Sequence, residues 1–143
     1  MKTAHILLVE DNPGDIILTT EALNDRKFIN KVTVVKNGAD ALDFLFKRGK
    51  YPNAETPDLV LLDINLPLKN GHEVLQEIKT HKDTQKIPVI ILSTSSDPRD
   101  IDKAYAQHVN CFVSKPLDIN EFIAAISKIE TFWLQLVTLP GKE

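Results

Sequence analysis

Cysteine is almost missing from this chain. Cys111 is the only one, so no internal disulfide can form. It lies in a strand-like apolar run and reads as a buried core thiol. Glycine-rich nucleotide loops are also missing: there is neither a GxGxxG nor a Walker A motif. No nucleophile elbow and no H-E-x-x-H motif occurs. His5, His72, His81 and His108 lack metal-site spacing and read as surface or packing residues. Basic surplus is lacking too. Lys and Arg number 17 against 20 Asp and Glu, a net charge of −3, which argues against nucleic-acid binding through phosphates. The apolar runs are far too short to span a bilayer. The start, Met1-Lys2-Thr3-Ala4-His5, leads straight into a strand rather than a signal peptide. The expectation is a cytoplasmic protein with no membrane and no nucleic-acid partner.

What is present is ordinary in amount and regular in order. The 143 residues suit one domain, and 43% hydrophobic with 26% charged residues suits a soluble globular core. Apolar runs of four or five residues alternate with segments of helical period. That alternation is the mark of βαβ units and a parallel sheet, an α/β fold. The strands are expected at Ile6–Val9, Val32–Val35, Leu59–Leu62, Val89–Leu92 and Cys111–Ser114. Helix starts carry capping chemistry: Asn12 before Pro13, Asn37 before Gly38, Asn70 before Gly71, Asp97 before Pro98, and Asp118 with Glu121 as an acidic capping box. The connection from Gly49 to Pro57 exceeds the usual loop of about 2–6 residues and reads as a surface insertion or a partner contact.

Polar residues stand where these strands end. Ile6–Val9 stops at Glu10-Asp11, Leu59–Leu62 at Asp63, Val89–Leu92 at Ser93, and Cys111–Ser114 at Lys115. Ligands of open parallel sheets bind outside the carboxyl ends of the strands. Three carboxylates, one hydroxyl and one lysine should therefore share one crevice. Crowded carboxylates repel one another unless a cation joins them. Hard oxygen ligands suit Mg²⁺, which retains waters and often brings in a phosphate. The pattern points to a device that places a phosphoryl group on a carboxylate.

With these residues in view, the chain resembles the receiver domain of two-component response regulators. The resemblance rests on Leu8-Val9-Glu10-Asp11-Asn12, Leu61-Leu62-Asp63-Ile64-Asn65-Leu66-Pro67, Asn70-Gly71, Ile87-Pro88-Val89-Ile90-Ile91-Leu92-Ser93 and Lys115-Pro116. It covers residues 5 to about 130, leaving 131–143 as a C-terminal extension. His108-Val109-Asn110-Cys111-Phe112, Phe132-Trp133-Leu134 and Val137-Thr138-Leu139-Pro140 are similar to the single-domain regulators of cyanobacterial phytochromes. The resemblance implies a doubly wound five-stranded sheet of order 2-1-3-4-5. It makes Asp63 the nucleophile that takes a phosphoryl group from a sensor histidine kinase, phytochrome-like by the narrower resemblance. Glu10, Asp11, Asp63 and the Asn65 backbone carbonyl would hold Mg²⁺. Ser93 and Lys115 would bind phosphoryl oxygens, and Lys115–Pro116 would be cis. The protein would be a signalling phospho-acceptor rather than an enzyme, with an unknown downstream partner.

The same resemblance implies a switch: Ser93 moves to the phosphoryl group and Phe112 turns inward. Glu10, Ser93 and Phe112 depart from the commoner Asp, Thr and Tyr. Glu10 then reaches the metal on a longer arm, Ser93 loosens the switch, and Phe112 has no hydroxyl to report the active state. Two rival readings exist. A haloacid-dehalogenase-like phosphatase needs a second Asp two residues after the first, where Asn65 stands. A pseudo-receiver would not need all five site residues. On a helical wheel begun at Ile119 and continued through the tail to Val137, the apolar positions fill an arc of roughly 200°, twice the stripe a surface helix needs. The surplus suggests a homodimer surface around Phe132, Trp133 and Leu136, with intramolecular packing as the alternative.

Overall fold

The structure, a computed structural model, describes residues 3–24 and 29–140. Strands β1 (Thr3–Val9), β2 (Ile29–Val35), β3 (Leu59–Leu62), β4 (Val89–Ser93) and β5 (Cys111–Ser114) form one parallel sheet of order β2-β1-β3-β4-β5. Helices α1 (Pro13–Leu23), α2 (Gly38–Leu45), α3 (Gly71–Thr80), α4 (Pro98–Ala106) and α5 (Ile119–Ile129) alternate with the strands. Fold and strand order match the expectation. β2 begins at Ile29, three residues before the apolar run, because its backbone pairs with β1 from Thr3 onward.

The apolar runs of β1, β3 and β4 are buried on both faces, as strands of a covered parallel sheet must be. The pleat sends alternate residues to opposite sides. Ile6, Leu8, Leu59, Leu61, Ile90 and Leu92 join Phe122 and Ile126 of α5 in one core cluster. Leu7, Val9, Val60, Leu62 and Ile91 join Val74, Leu75 and Ile78 of α3 in the other. The two edge strands are different. Val32 and Val34 of β2 are only partly buried, and β5 is half-buried, so Cys111 is a half-buried thiol whose pKa burial pushes up.

The caps behave as side-chain chemistry dictates. Asn12, Asn37, Asn70, Asp97 and Asp118 each accept from a backbone N–H of the first helical turn. The reciprocal capping box forms at Asn70 and Glu73, while Asp118 accepts from Glu121 N–H. The long connection after α2 tucks Tyr51 and Ala54 against the core, with the Tyr51 ring 5.4 Å from that of Phe44.

The tail corrects the helical wheel. From Glu130 to Leu136 the helix continues as a π-helix, so its last carbonyls are reached from five residues on, as in Val137 N–H to Phe132 O. The wider turn puts residues five apart on one face. Ile129 and Leu134 are both buried in the same cluster, and Leu139 joins them beyond the helix. Trp133 and Val137 pack against that cluster, while Phe132 stays half exposed. A wheel at 100° per residue assumes an α pitch throughout and therefore misassigns this stretch. The Leu136 side chain lies outside the described residues.

Candidate functional site

Parallel β1 and β3 are neighbours, so Glu10-Asp11 and Asp63 leave the sheet side by side. Glu10 extends the β1–β2 ladder by donating its N–H to Val35 O (3.0 Å), which pins it against the sheet end. Oxygens of Glu10, Asp11 and Asp63 lie within 4.8 Å of one another. Glu10 is buried and Asp11 is exposed, so the group opens to solvent on one side. The loop after Asp63 is held close by glycine. Gly71 N–H donates to Ile64 O (2.8 Å), and a Cβ on Gly71 would stand 2.2 Å from the Asp63 carbonyl oxygen. Gly38, at the start of α2, is pressed against Lys69 O of the same loop in the same way. Any larger residue at either position would push the loop carrying Asp63 and Asn65 off its seat. Within that loop Asn65 is exposed, and Leu68 is exposed with a φ of 69°, an uncommon conformation for a branched residue.

Lys115 follows edge strand β5, and its N–H donates to Ser93 O at the end of β4 (2.6 Å). Its ammonium is buried and turned onto carboxylates. It pairs with Glu10, with Asp15 Oδ2 at 2.9 Å and with Asp63 Oδ2 at 3.5 Å. Asp63 Oδ1 accepts from Ile64 N–H (2.8 Å). Lys115–Pro116 is trans, since the described residues hold no cis peptide bond. The trans form is the intrinsically favoured one by about 0.5–1 kcal/mol, and the ammonium reaches the cluster without the cis isomer.

The charges do not balance. One ammonium faces Glu10, Asp11, Asp15 and Asp63. Burial raises the Glu10 pKa, the Lys115 hydrogen bond opposes this, and the Asp63 charge adds to the rise, leaving it at about 7. For Lys115, burial disfavours the ammonium, but hydrogen bonds to Glu10 and Asp15 and the field of Asp63 outweigh it and raise the pKa. A carboxylate held that reluctantly charged has need of a second cation. The three clustered carboxylates are a hard-oxygen donor set suited to a divalent metal, which would relieve the repulsion.

Ser93 is fully buried at the end of β4, but its hydroxyl accepts from Ser95 N–H (3.2 Å) within its own loop. Phe112 is partly buried against the larger core cluster, and its N–H donates to the Tyr105 hydroxyl (3.2 Å). Two features were missed from sequence. One is Asp15, an acidic residue in the first turn of α1, a place where acidic residues are common for the helix dipole alone. The other is a network: buried His72 Nε2 lies 3.1 Å from Asp100 Oδ1, and Ser95 Oγ donates to Asp100 Oδ2 (2.6 Å). No local signal marks either, because their partners lie 28 or more positions away, apart from the short Ser95–Asp100 link.

The described residues contain no helix long and apolar enough to cross a membrane. Residues 6–127 match the response regulator receiver domain family. Response regulator Rcp1 of Synechocystis sp. is 42% identical over 136 residues, covering 95% of this chain and 92% of that protein. The crystal structure of the phosphorylated cyanobacterial phytochrome response regulator RcpA is similar with a TM-score of 0.96 at 44% identity, covering 98% of this chain and all of that one. The Mn²⁺-bound form of Rcp1 superposes with a TM-score of 0.94 at 40% identity, covering 96% and 99%. With the receiver fold, the strand-end acidic cluster and these relatives together, the chain belongs to the response regulator receiver family, as a signalling protein similar to cyanobacterial phytochrome response regulators.

Proposed function

We propose that Asp63 is the phospho-acceptor and that the donor is a phosphohistidine of a phytochrome-like sensor kinase. The convergence of Asp63, Glu10, Asp11 and Lys115 on one strand-end crevice carries this reading. An Asp63 carboxylate oxygen attacks the phosphorus in line. The P–N bond breaks, and its electron pair stays on the imidazole, which takes up a proton. Glu10, Asp11, Asp63 and the Asn65 carbonyl would hold Mg²⁺, which when bound neutralises charge on the transferring group. Lys115 supplies a second positive charge and Ser93 a directed hydroxyl. Hydrolysis later returns the carboxylate, so the protein catalyses only its own phosphorylation and dephosphorylation, in the cytoplasm.

The response follows from Ser93. To reach the phosphoryl group its hydroxyl gives up Ser95 N–H, the β4–α4 loop moves, and Phe112 completes its burial. A downstream protein reads that altered surface. The receiver occupies residues 1–130, and the extension 131–143 supports a homodimer through Phe132, Trp133 and Leu136. Half-exposed Phe132 favours the dimer, because it lines a groove of about 390 Å³ with Asn110, Cys111, Lys128, Ile129 and Trp133. Phe132→Ala with Trp133→Ala should then sediment as a folded monomer, whereas a wild type monomeric at high concentration removes the dimer.

Acetyl phosphate with Mg²⁺ tests the core of the proposal. One acid-labile, hydroxylamine-sensitive phosphate should appear per chain, and Asp63→Asn should abolish it while leaving the amide spectrum native. Normal labelling of Asp63→Asn moves the acceptor elsewhere.

A further inference from the structure

Asp15 sits in the first turn of α1, where its N–H donates to the Asn12 cap (3.0 Å). Its carboxylate reaches over to Lys115, across 100 positions of chain. Lys115 lies 2.9 Å from Asp15 but 3.5 Å from Asp63. The ammonium thus sits closer to Asp15 than to the residue whose phosphoryl group it would bind. A lysine ammonium has three protons to donate. Glu10, Asp15 and Asp63 accept from them.

A phosphoryl group brings roughly −1.5 to −2 charges and strong acceptor oxygens. To bind it, Lys115 must withdraw a proton from one of its present acceptors. Glu10 and Asp63 belong to the clustered set suited to a metal ion, and Asp15 does not. A cation held by that cluster would compete with Lys115 for Glu10 and Asp63, and Asp15 would remain as the ammonium's other carboxylate partner.

We propose that Asp15 is a positioning residue that competes with the phosphoryl group for Lys115 and so weakens phosphoryl retention at Asp63. This rests on Asp63 as the phospho-acceptor. Asp15 has no part in bond making. It sets how far the ammonium must be pulled before it serves the reaction centre. The side chain is a quarter exposed, so the competition is moderate rather than prohibitive.

The test uses beryllofluoride, a non-transferring phosphoryl mimic, titrated at saturating Mg²⁺ and followed by the amide spectrum. Asp15→Asn should tighten its binding about fivefold, the size of a partly exposed ion pair. Asp15→Glu should restore wild-type affinity. In a Lys115→Ala background Asp15→Asn should have no effect, because the competition acts through the ammonium. Unchanged affinity in Asp15→Asn overturns the proposal. So does a gain that persists without Lys115, which would mark direct repulsion instead. If the wild type neither binds beryllofluoride nor takes phosphate on Asp63, the phospho-acceptor reading itself falls, and this inference with it.

Discussion

Lys79 and Lys115 are both withdrawn from water and keep opposite company. Lys115 is buried among carboxylates. Lys79, near the end of α3, is half-buried and donates to neutral oxygens: Ile87 O (2.8 Å), Asn110 Oδ1 (3.0 Å) and Gln85 O (3.2 Å). Burial lowers the Lys79 pKa, while carboxylate partners raise that of Lys115 in spite of burial. Lys79 ties α3 to the loop before β4 and to Asn110, whose Oδ1 also accepts from Val89 N–H (2.8 Å). Its charge is matched to fixed dipoles, so nothing there invites a further ligand. Around Lys115 the anions exceed the cation, and the surplus invites one. Burial of a lysine is thus no mark of function. The charge balance of its shell is.

The comparison breaks first at phosphorylation. Lys115→Ala should slow labelling by acetyl phosphate roughly 10²-fold, as expected when one charge-stabilising donor is removed. Lys79→Ala should leave the rate within about twofold, a spread of only a few tenths of a kcal/mol. Equal losses in the two variants, each with a native amide spectrum, would erase the distinction.

Stability should show the reverse order. Lys79→Met keeps the stem but strands its acceptors, and should cost about 2 kcal/mol in urea unfolding. With Mg²⁺ present Lys115→Ala should cost less, because the metal takes over its neutralising role. A smaller loss at Lys79 than at Lys115 would reject the view that Lys79 is the structural tie.

The smallest effect is in pH. Folding raises the Glu10 pKa from 4.5 to about 7, so the folded state binds this proton more tightly than the unfolded state. In that window the native state holds more protons, and stability contributed by Glu10 falls as pH rises from 4.5 to 7. Metal-free protein should lose stability over that range relative to Glu10→Gln, and Mg²⁺ should flatten the difference. Parallel pH curves for the two metal-free proteins would leave Glu10 without this role.

Much of this was legible along the chain. Four-residue apolar runs, Asn-Pro and Asn-Gly helix starts and polar residues at strand ends are local patterns, and they located the strands and the Glu10, Asp11, Asp63 and Lys115 cluster. Caps are legible for the same reason: Asn70 and Glu73 lie within one turn of each other. The half-buried state of β5 was not, because an edge strand and a central strand can share the same residues and differ only in their neighbours. The same holds for the tail. Ile129 and Leu134 are apolar under any helical pitch, and only the core cluster beneath them favours the π turn that buries both.

The sequence by itself determined the alternation of strands and helices and the chemical types gathered at the strand ends, since both follow from the hydrophobic period and from residues adjacent in the chain. Tertiary structure alone decided that Asp15 shares Lys115, that His72 and Ser95 meet on Asp100, and that the Lys115–Pro116 bond is trans. These pairings depend on how α1, α3, α4 and β5 are docked on the sheet. A hydrogen bond answers to distance in space, and distance along the chain carries almost none of that information.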